Sequence, residues 1–497
     1  MVMNKQILLV LSMLVGLQAC SSDSKQQQPT DTVAKNQHLA GGEASVVDIS
    51  ADAFSSRSAN MTATSRIATF ELGDDFFQNP WVAGSASTSN RDGLGGLFNN
   101  NACQDCHIRD GRGHAPTADD SDFASILFRA AKANITTEQK NAMLNGTMAN
   151  VADAYYGGQL QNDAINNVQA EVDLAVSYQT KTVVFDDGFS VELRKPTWLI
   201  TPVGNTAFES DIVFSARVSP QMIGLGLLAL VSEQDILSLQ DINDADSNGI
   251  SGKANYVWSI ENQHVMLGRF GWKAGQPSLL EQAAGAFVND MGLTNRLHKT
   301  ENCTATQADC LAAPNGNGDS VNSYDYEVND IILDAIDLYS HHLAVPQRRN
   351  AYDEDVLAGQ TLFKELGCMD CHRQSYTTQY SAEHPELSVQ IIYPYTDMLL
   401  HDMGSELADF NQDNSAASSD MLYEFSATAT EWRTPPLWGV GYAKTVDPKA
   451  TFLHDGRART ILEAILWHSG EAQKSRDAVL KLNAQQRSDL LAFLNDL

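Results

Sequence analysis

Two copies of one five-residue pattern constrain this 497-residue chain more than any other feature. Cys103-Gln104-Asp105-Cys106-His107 and Cys368-Met369-Asp370-Cys371-His372 are both C-x-x-C-H. That spacing suits covalent haem attachment. Two thiols add to the two vinyl groups of one porphyrin, and the adjacent imidazole reaches the iron from below. A C-x-x-C can also be half of a zinc site or a redox dithiol. Zinc needs four ligands held together, and these motifs lie far apart in the chain; a redox dithiol belongs at a strand-to-helix junction of a βαβ unit. The reading is therefore two covalent haem c groups. Cys103, Cys106, Cys368 and Cys371 bind the cofactor, and His107 and His372 bind its metal.

The surroundings of the motifs recur as well. Leu97-Phe98 stands before the first as Leu362-Phe363 stands before the second. Ser219 to Gly226 (SPQMIGLG) matches Thr434 to Gly441 (TPPLWGVG). Phe270, Ser278, Leu280 and Glu281 match Phe452, Thr460, Leu462 and Glu463. Collinear blocks imply a duplicated unit. The fold expected is mainly α: two c-type cytochrome domains in tandem, 65–345 and 346–497, the first carrying insertions that include a small β-hairpin. Helical spacing marks Ala358–Leu366, Thr460–Trp467, Ala484–Leu497 and Leu227–Leu239. Ile135–Ala175 is expected to be helical and polar on one face. Thr180–Thr201 alternates around Asp186-Asp187-Gly188 and predicts the hairpin.

The N-terminus reads as an export signal, residues 1–20. Lys5 precedes an apolar run from Ile7 to Leu17, and Leu17-Gln18-Ala19-Cys20 closes it. The ending resembles a bacterial lipoprotein signal, with Cys20 as the lipidated residue; an ordinary signal with an incidental Cys is the alternative. Ser21 and Ser22 in place of Asp imply sorting to the outer membrane. The chain is thus expected in the periplasm, held to the membrane by lipid, with 21–64 as a tether. Cys303 and Cys310 then form a disulfide around a small loop, or stay as two free thiols. Lys+Arg number 33 against 62 Asp+Glu, a net charge of -29. This excludes nucleic-acid binding through a broad basic face and favours a small redox protein with a basic patch as partner.

Together the motifs resemble the bacterial di-haem cytochrome c peroxidase and MauG-type superfamily, and within it the di-haem oxidoreductases also described as peroxidases or thiol oxidoreductases. The resemblance runs over about Ser65–Leu497. It is carried by Gly93-Leu94-Gly95-Gly96-Leu97-Phe98-Asn99, by Asp397–Gly404 (DMLLHDMG), by Arg433–Gly441 (RTPPLWGVG) and by Phe452–Glu471 (FLHDGRARTILEAILWHSGE). Trp272–Gln282 (WKAGQPSLLEQ) resembles a peroxidase segment whose Trp relays electrons between the haems, which assigns that role to Trp272; a core Trp is the alternative. Ala283–Gly292 (AAGAFVNDMG) resembles the segment that carries the peroxidase acid/base Glu, and Asp290 falls nearest it. The resemblance implies an enzyme passing electrons between two haems to a small substrate such as peroxide at the first.

Other site residues carry alternatives. The family methionine ligand is absent near Glu431-Trp432, so Met403, beside His401, is the candidate iron ligand for the second haem, with Met421 next; either can equally be core. His114 reads as a surface residue. His454-Asp455-Gly456-Arg457 could anchor propionates or serve the fold. Asp244, Asp246 and Asn248 occupy positions 1, 3 and 5 of a half EF-hand loop, a possible Ca²⁺ site, but Asn255 stands where the closing Glu belongs. The competing functions are an electron carrier with no substrate of its own, and a haem-based redox sensor serving assembly.

Overall fold

Each C-x-x-C-H motif follows a helix braced by a second helix from far along the chain. Thr64–Gln78 packs against Asp330–His342, and Glu354–Glu365 packs against Ala484–Asp496. Both pairs cross at a glycine. A Cβ on Gly73 would stand 2.3 Å from the carbonyl oxygen of Ala335, and one on Gly359 would stand 1.9 Å from that of Asp489. Only the missing side chain lets the backbones approach so closely. Asn329 and Asn483 cap the bracing helices by accepting from the N–H groups of Ile332 and Gln486. Phe77 and Phe363, on the leading helices, meet the rings of His107 and His372 at 6.1 and 6.0 Å, tilted by 52° and 53°.

These relationships come from a computed structural model that describes residues 36–497, apart from 85, 89, 120–121, 205 and 317–324. The signal 1–20, with Cys20, and tether residues 21–35 lie outside the described residues. Residues 36–63, counted with the tether, are packed. Phe54 is fully buried, and Val46 bridges Pro346 in parallel.

The expectation of a mainly α fold is corrected: helix takes up 29% and strand 20%. A four-stranded antiparallel sheet runs in the order Phe410–Asn411, Ile212–Val218, Ile126–Lys132, Gln159–Leu160. Ile212–Val218 is buried along its whole length, Ser215 and Arg217 included. The hairpin is much longer than foreseen. Val172–Val184 pairs with Ser190–Pro202 through thirteen residues each. Gly188, at φ +87°, supplies its turn. Trp198 on this hairpin packs edge-on against Phe128 of the sheet, with centroids 5.2 Å apart.

Helix forms over only Thr137–Leu144 of the long stretch 135–175. Asn145 and Gly146 end it, and short strands follow. Leu227–Leu239 is two short helices, Leu225–Ala229 and Glu233–Leu237, with Ser232 capping the second. The helices expected near the C-terminus form at Glu354–Glu365, Ile461–Trp467 and Ala484–Asp496.

Two tandem cytochrome domains do not emerge either. Residues 36–497 form one unit. Phe410–Asn411 extends the sheet of Ile212–Val218, and Lys253 bridges Leu400. At the hairpin tip, Arg487 pairs with Asp187 at 2.7 Å and lies over Phe185 and Phe189.

The repeat is nevertheless visible as backbone. Phe270 bridges Gln276 as Phe452 bridges Ala458. Gly271 and Leu453 hold the same left-handed turn, at φ +79° and +68°. Ser278 and Thr460 then start the helices Leu279–Met291 and Ile461–Trp467, accepting from the N–H groups of Glu281 and Glu463 at nearly identical dihedrals.

Candidate functional site

Cys103–Cys106 forms a single helical turn that carries both sulfurs and His107 to the wall of a cavity of about 230 Å³. The four motif cysteines are not disulfide-bonded. Burial pushes Cys103 and Cys368 up to about 12 and raises Cys106 and Cys371 as well. Thiols held un-ionised in this way are poor redox nucleophiles and poor zinc ligands. Each motif histidine is oriented by a backbone carbonyl. His107 Nδ1 donates to Pro220 O at 2.8 Å, and His372 Nδ1 to Tyr395 O at 2.9 Å. A carbonyl only accepts, so in both rings Nε2 keeps its lone pair. Burial brings both imidazoles down to about 4, so they are neutral. A neutral ring fixed through its other nitrogen is how proteins present histidine to a metal.

The first cavity also fits the rest of a haem. Arg112, Arg129, Arg217 and Arg433 line it. The Nε atoms of Arg112 and Arg129 and one Nη of Arg217 are buried without a hydrogen-bond partner. Orphaned guanidinium N–H groups are suited to the propionates of a porphyrin. Arg457 is not placed for this, since its guanidinium is held by Asp455 at 2.7 Å. The sequence reading missed the four arginines, because they come from four separate segments with no shared motif.

Asp290 and Trp272 line the same cavity. Asp290 accepts from Gln159 Nε2 at 2.7 Å, and burial raises its carboxyl although Arg129 opposes this. Trp272 is buried and donates its indole N–H to Val218 O at 2.8 Å. Its ring meets His454 edge-on. The other side of His454 stacks on Trp432, with centroids 3.7 Å apart and planes 10° apart.

Around the second motif, His401 lies 3.7 Å from Cys371 Sγ. Its Nε2 donates to Asp397 and its Nδ1 to Glu471, each at 2.7 Å. Burial opposes its charge, but Cys371, Asp397 and Glu471 outweigh burial and raise it well above the usual histidine range. With both nitrogens donating, His401 has no lone pair for iron. His468 does. Its Nδ1 donates to Ala464 O at 2.7 Å, the same arrangement as in the two motif histidines, and it is close enough to His372 to lower it. The repeat supplied the signal for His468: it stands where the first copy has Ala286, which lines the first cavity.

Met403 engages its neighbours through its main chain, with its carbonyl accepting from Ser469 Oγ. Met421 packs in a separate apolar cluster with Val213 and Tyr423. His114 is buried, not on the surface, and meets Asp447 at 2.9 Å. Asp244 and Asp246 gather with Asp241, and their oxygens and that of Asn248 accept N–H groups of the same loop. Cys303 and Cys310 are joined as a disulfide, Cα atoms 5.8 Å apart.

The sequence model of the family described as "di-haem oxidoreductase, putative peroxidase" matches residues 35–497. The chain belongs to that family. No curated protein matches it.

Proposed function

We propose that this di-haem oxidoreductase binds both haems covalently and takes its substrate, a peroxide, at the first. The observation that carries this reading is the exchange of Ala286 for His468 at equivalent positions of the repeat. On the second copy His468, whose Nε2 keeps its lone pair, lies close enough to His372 to lower it, so the two histidines together would be able to hold the second haem. On the first copy the equivalent residue, Ala286, puts only a methyl group on the cavity wall and offers no ligand atom, so a haem held by His107 would leave room there for a substrate.

Haem bound there supplies the iron-centred redox chemistry. The chain's part is binding and proton handling. Asp290 lies one turn beyond Ala286 on the same helix face. Burial raises its carboxyl toward the protonated form, which suits it to hand a proton to the departing oxygen of a peroxide, while Gln159 Nε2 fixes its Oδ1. Arg129 beside it favours the carboxylate left behind. Trp272 lies between this cavity and the second copy, suited to carry electrons arriving from the second haem. A basic redox protein would deliver them to this acidic chain, with salt weakening the encounter. Export and anchoring through Cys20 would place the reaction in the periplasm. The Asp244, Asp246 and Asn248 loop would take Ca²⁺ as a structural ion.

The test is the spectrum of the holoprotein poised with one haem reduced. A high-spin first haem that is consumed by hydrogen peroxide supports the reading. Two low-spin haems inert to peroxide would make the protein an electron carrier instead.

A further inference from the structure

We propose that Asp337, His341 and His384 form a binding site for one divalent transition-metal ion, separate from both haem positions. Asp337 and His341 stand one turn apart on the Asp330–His342 helix, and His384 comes from the loop ahead of Pro385–Leu387. One donor atom from each lies within 4.8 Å of the other two. Two imidazoles and one carboxylate suit a borderline ion such as Zn²⁺ or Fe²⁺, whereas Ca²⁺ takes oxygen ligands.

The hydrogen bonds around the cluster decide which nitrogens are available. Arg66 can only donate, and its Nη2 is 2.9 Å from His342 Nε2, so that nitrogen accepts. His384 Nδ1 is 3.3 Å from the same His342 Nε2 and must therefore carry a proton. Its Nε2 is left with the lone pair. His341 Nδ1 donates to the carbonyl of Asp337 at 2.8 Å, so its Nε2 also keeps a lone pair. Both rings are thus anchored through one nitrogen and free at the other, as metal-binding histidines are. Asp337 Oδ1 is buried and stands 3.3 Å from that same His341 Nδ1, with no hydrogen bond of good geometry.

The His341 and His384 rings are stacked, with centroids 4.1 Å apart and planes at 9°. Parallel planes do not converge on one ion, so binding requires one ring to turn. Bonds of about 2.0–2.1 Å place two donors roughly 3.4 Å apart, a contraction of up to about 1.4 Å from the 4.8 Å limit, which a loop histidine can supply. The ion would tie two segments together. The Asp330–His342 helix brings Ile336 and Ser340 to the first cavity. The segment after His384 ends at Tyr395, whose carbonyl orients His372.

The test is calorimetric titration of chelator-treated holoprotein with Zn²⁺. One site is expected in the wild type, weakened at least tenfold by Asp337→Asn and by His384→Gln, and kept in Asp244→Asn, with haem absorption unchanged throughout. If His384→Gln fails to fold, His341→Gln on the partly exposed edge replaces it. The proposal is overturned if the wild type binds no Zn²⁺, if the cluster variants bind as wild type does, or if the site is lost with Asp244→Asn.

Discussion

Trp272 and His454 hold the same position in the two copies of the repeat, and they touch: the rings meet edge-on at 75° with centroids 6.4 Å apart. The seam between the copies therefore runs through one aromatic contact. Divergence has left an indole on the side of the first cavity and an imidazole on the other. Burial brings that imidazole down to about 3, so the contact carries no charge of its own.

Trp272→Phe removes the indole and its bond to Val218 while keeping an aromatic ring. Electron transfer between the haems, followed after rapid half-reduction, should slow by about an order of magnitude, roughly 1.4 kcal/mol of barrier. Both haem spectra should stay as in the wild type. Unchanged transfer would remove Trp272 from the path.

His468→Ala should convert the second haem from low to high spin and lower its resistance to added ligands such as cyanide. Ala286→His should do the reverse at the first haem and suppress its reaction with peroxide. Electron paramagnetic resonance of each variant reads both outcomes. No spectral change in either would separate these residues from the iron.

Gly359→Ala forces a methyl group against the Asp489 carbonyl and Phe493. The helix pair behind the second motif must part, at a cost of about 1–3 kcal/mol. Denaturant unfolding of the holoprotein should show this as a lower midpoint. Equal stability would mean the crossing is looser than described.

Asp110 accepts from Ser55 Oγ at 2.6 Å and from Tyr339 OH at 2.7 Å, and burial lifts it from 3.8 to about 7. Tyr339 has one proton to offer, and Asp74 stands 3.0 Å from the same oxygen. The folded chain therefore holds a proton that the unfolded chain releases between about pH 4 and 7. Stability from this group is complete below the unfolded value and is lost as pH rises through about 7, by up to about 1.4 kcal/mol per pH unit. Asp110→Asn should flatten the stability profile across that window.

The haem motifs and the repeat were legible because their chemistry needs particular residues at fixed spacing. The helices Ile461–Trp467 and Ala484–Asp496 were legible through their apolar spacing, and the side chains of Thr460 and Asn483 cap their starts. The hairpin turn at Asp186-Asp187-Gly188 showed for the same local reason. Ile135–Ala175 misled because its polar composition says nothing of the pairing partners that make strands of Gln159–Leu160 and Asp163–Ala164. Phe410–Asn411 is a strand only because Ile212–Val218 lies beside it. The arginines of the first cavity are gathered by tertiary packing alone. His468 was within reach of the repeat, but its neighbour Met403 drew attention by residue type.

The clasp of Arg487 between Phe185 and Phe189 bears on ancestry. A hairpin inserted in the first copy holds the closing helix of the second, and that helix in turn braces the one leading to Cys368. A duplication begins with halves that are self-sufficient. Here the later half leans on a hairpin that belongs to the earlier one. Separated at the old junction, 346–497 would lose the support of its last helix, so descent from two copies no longer implies two foldable pieces.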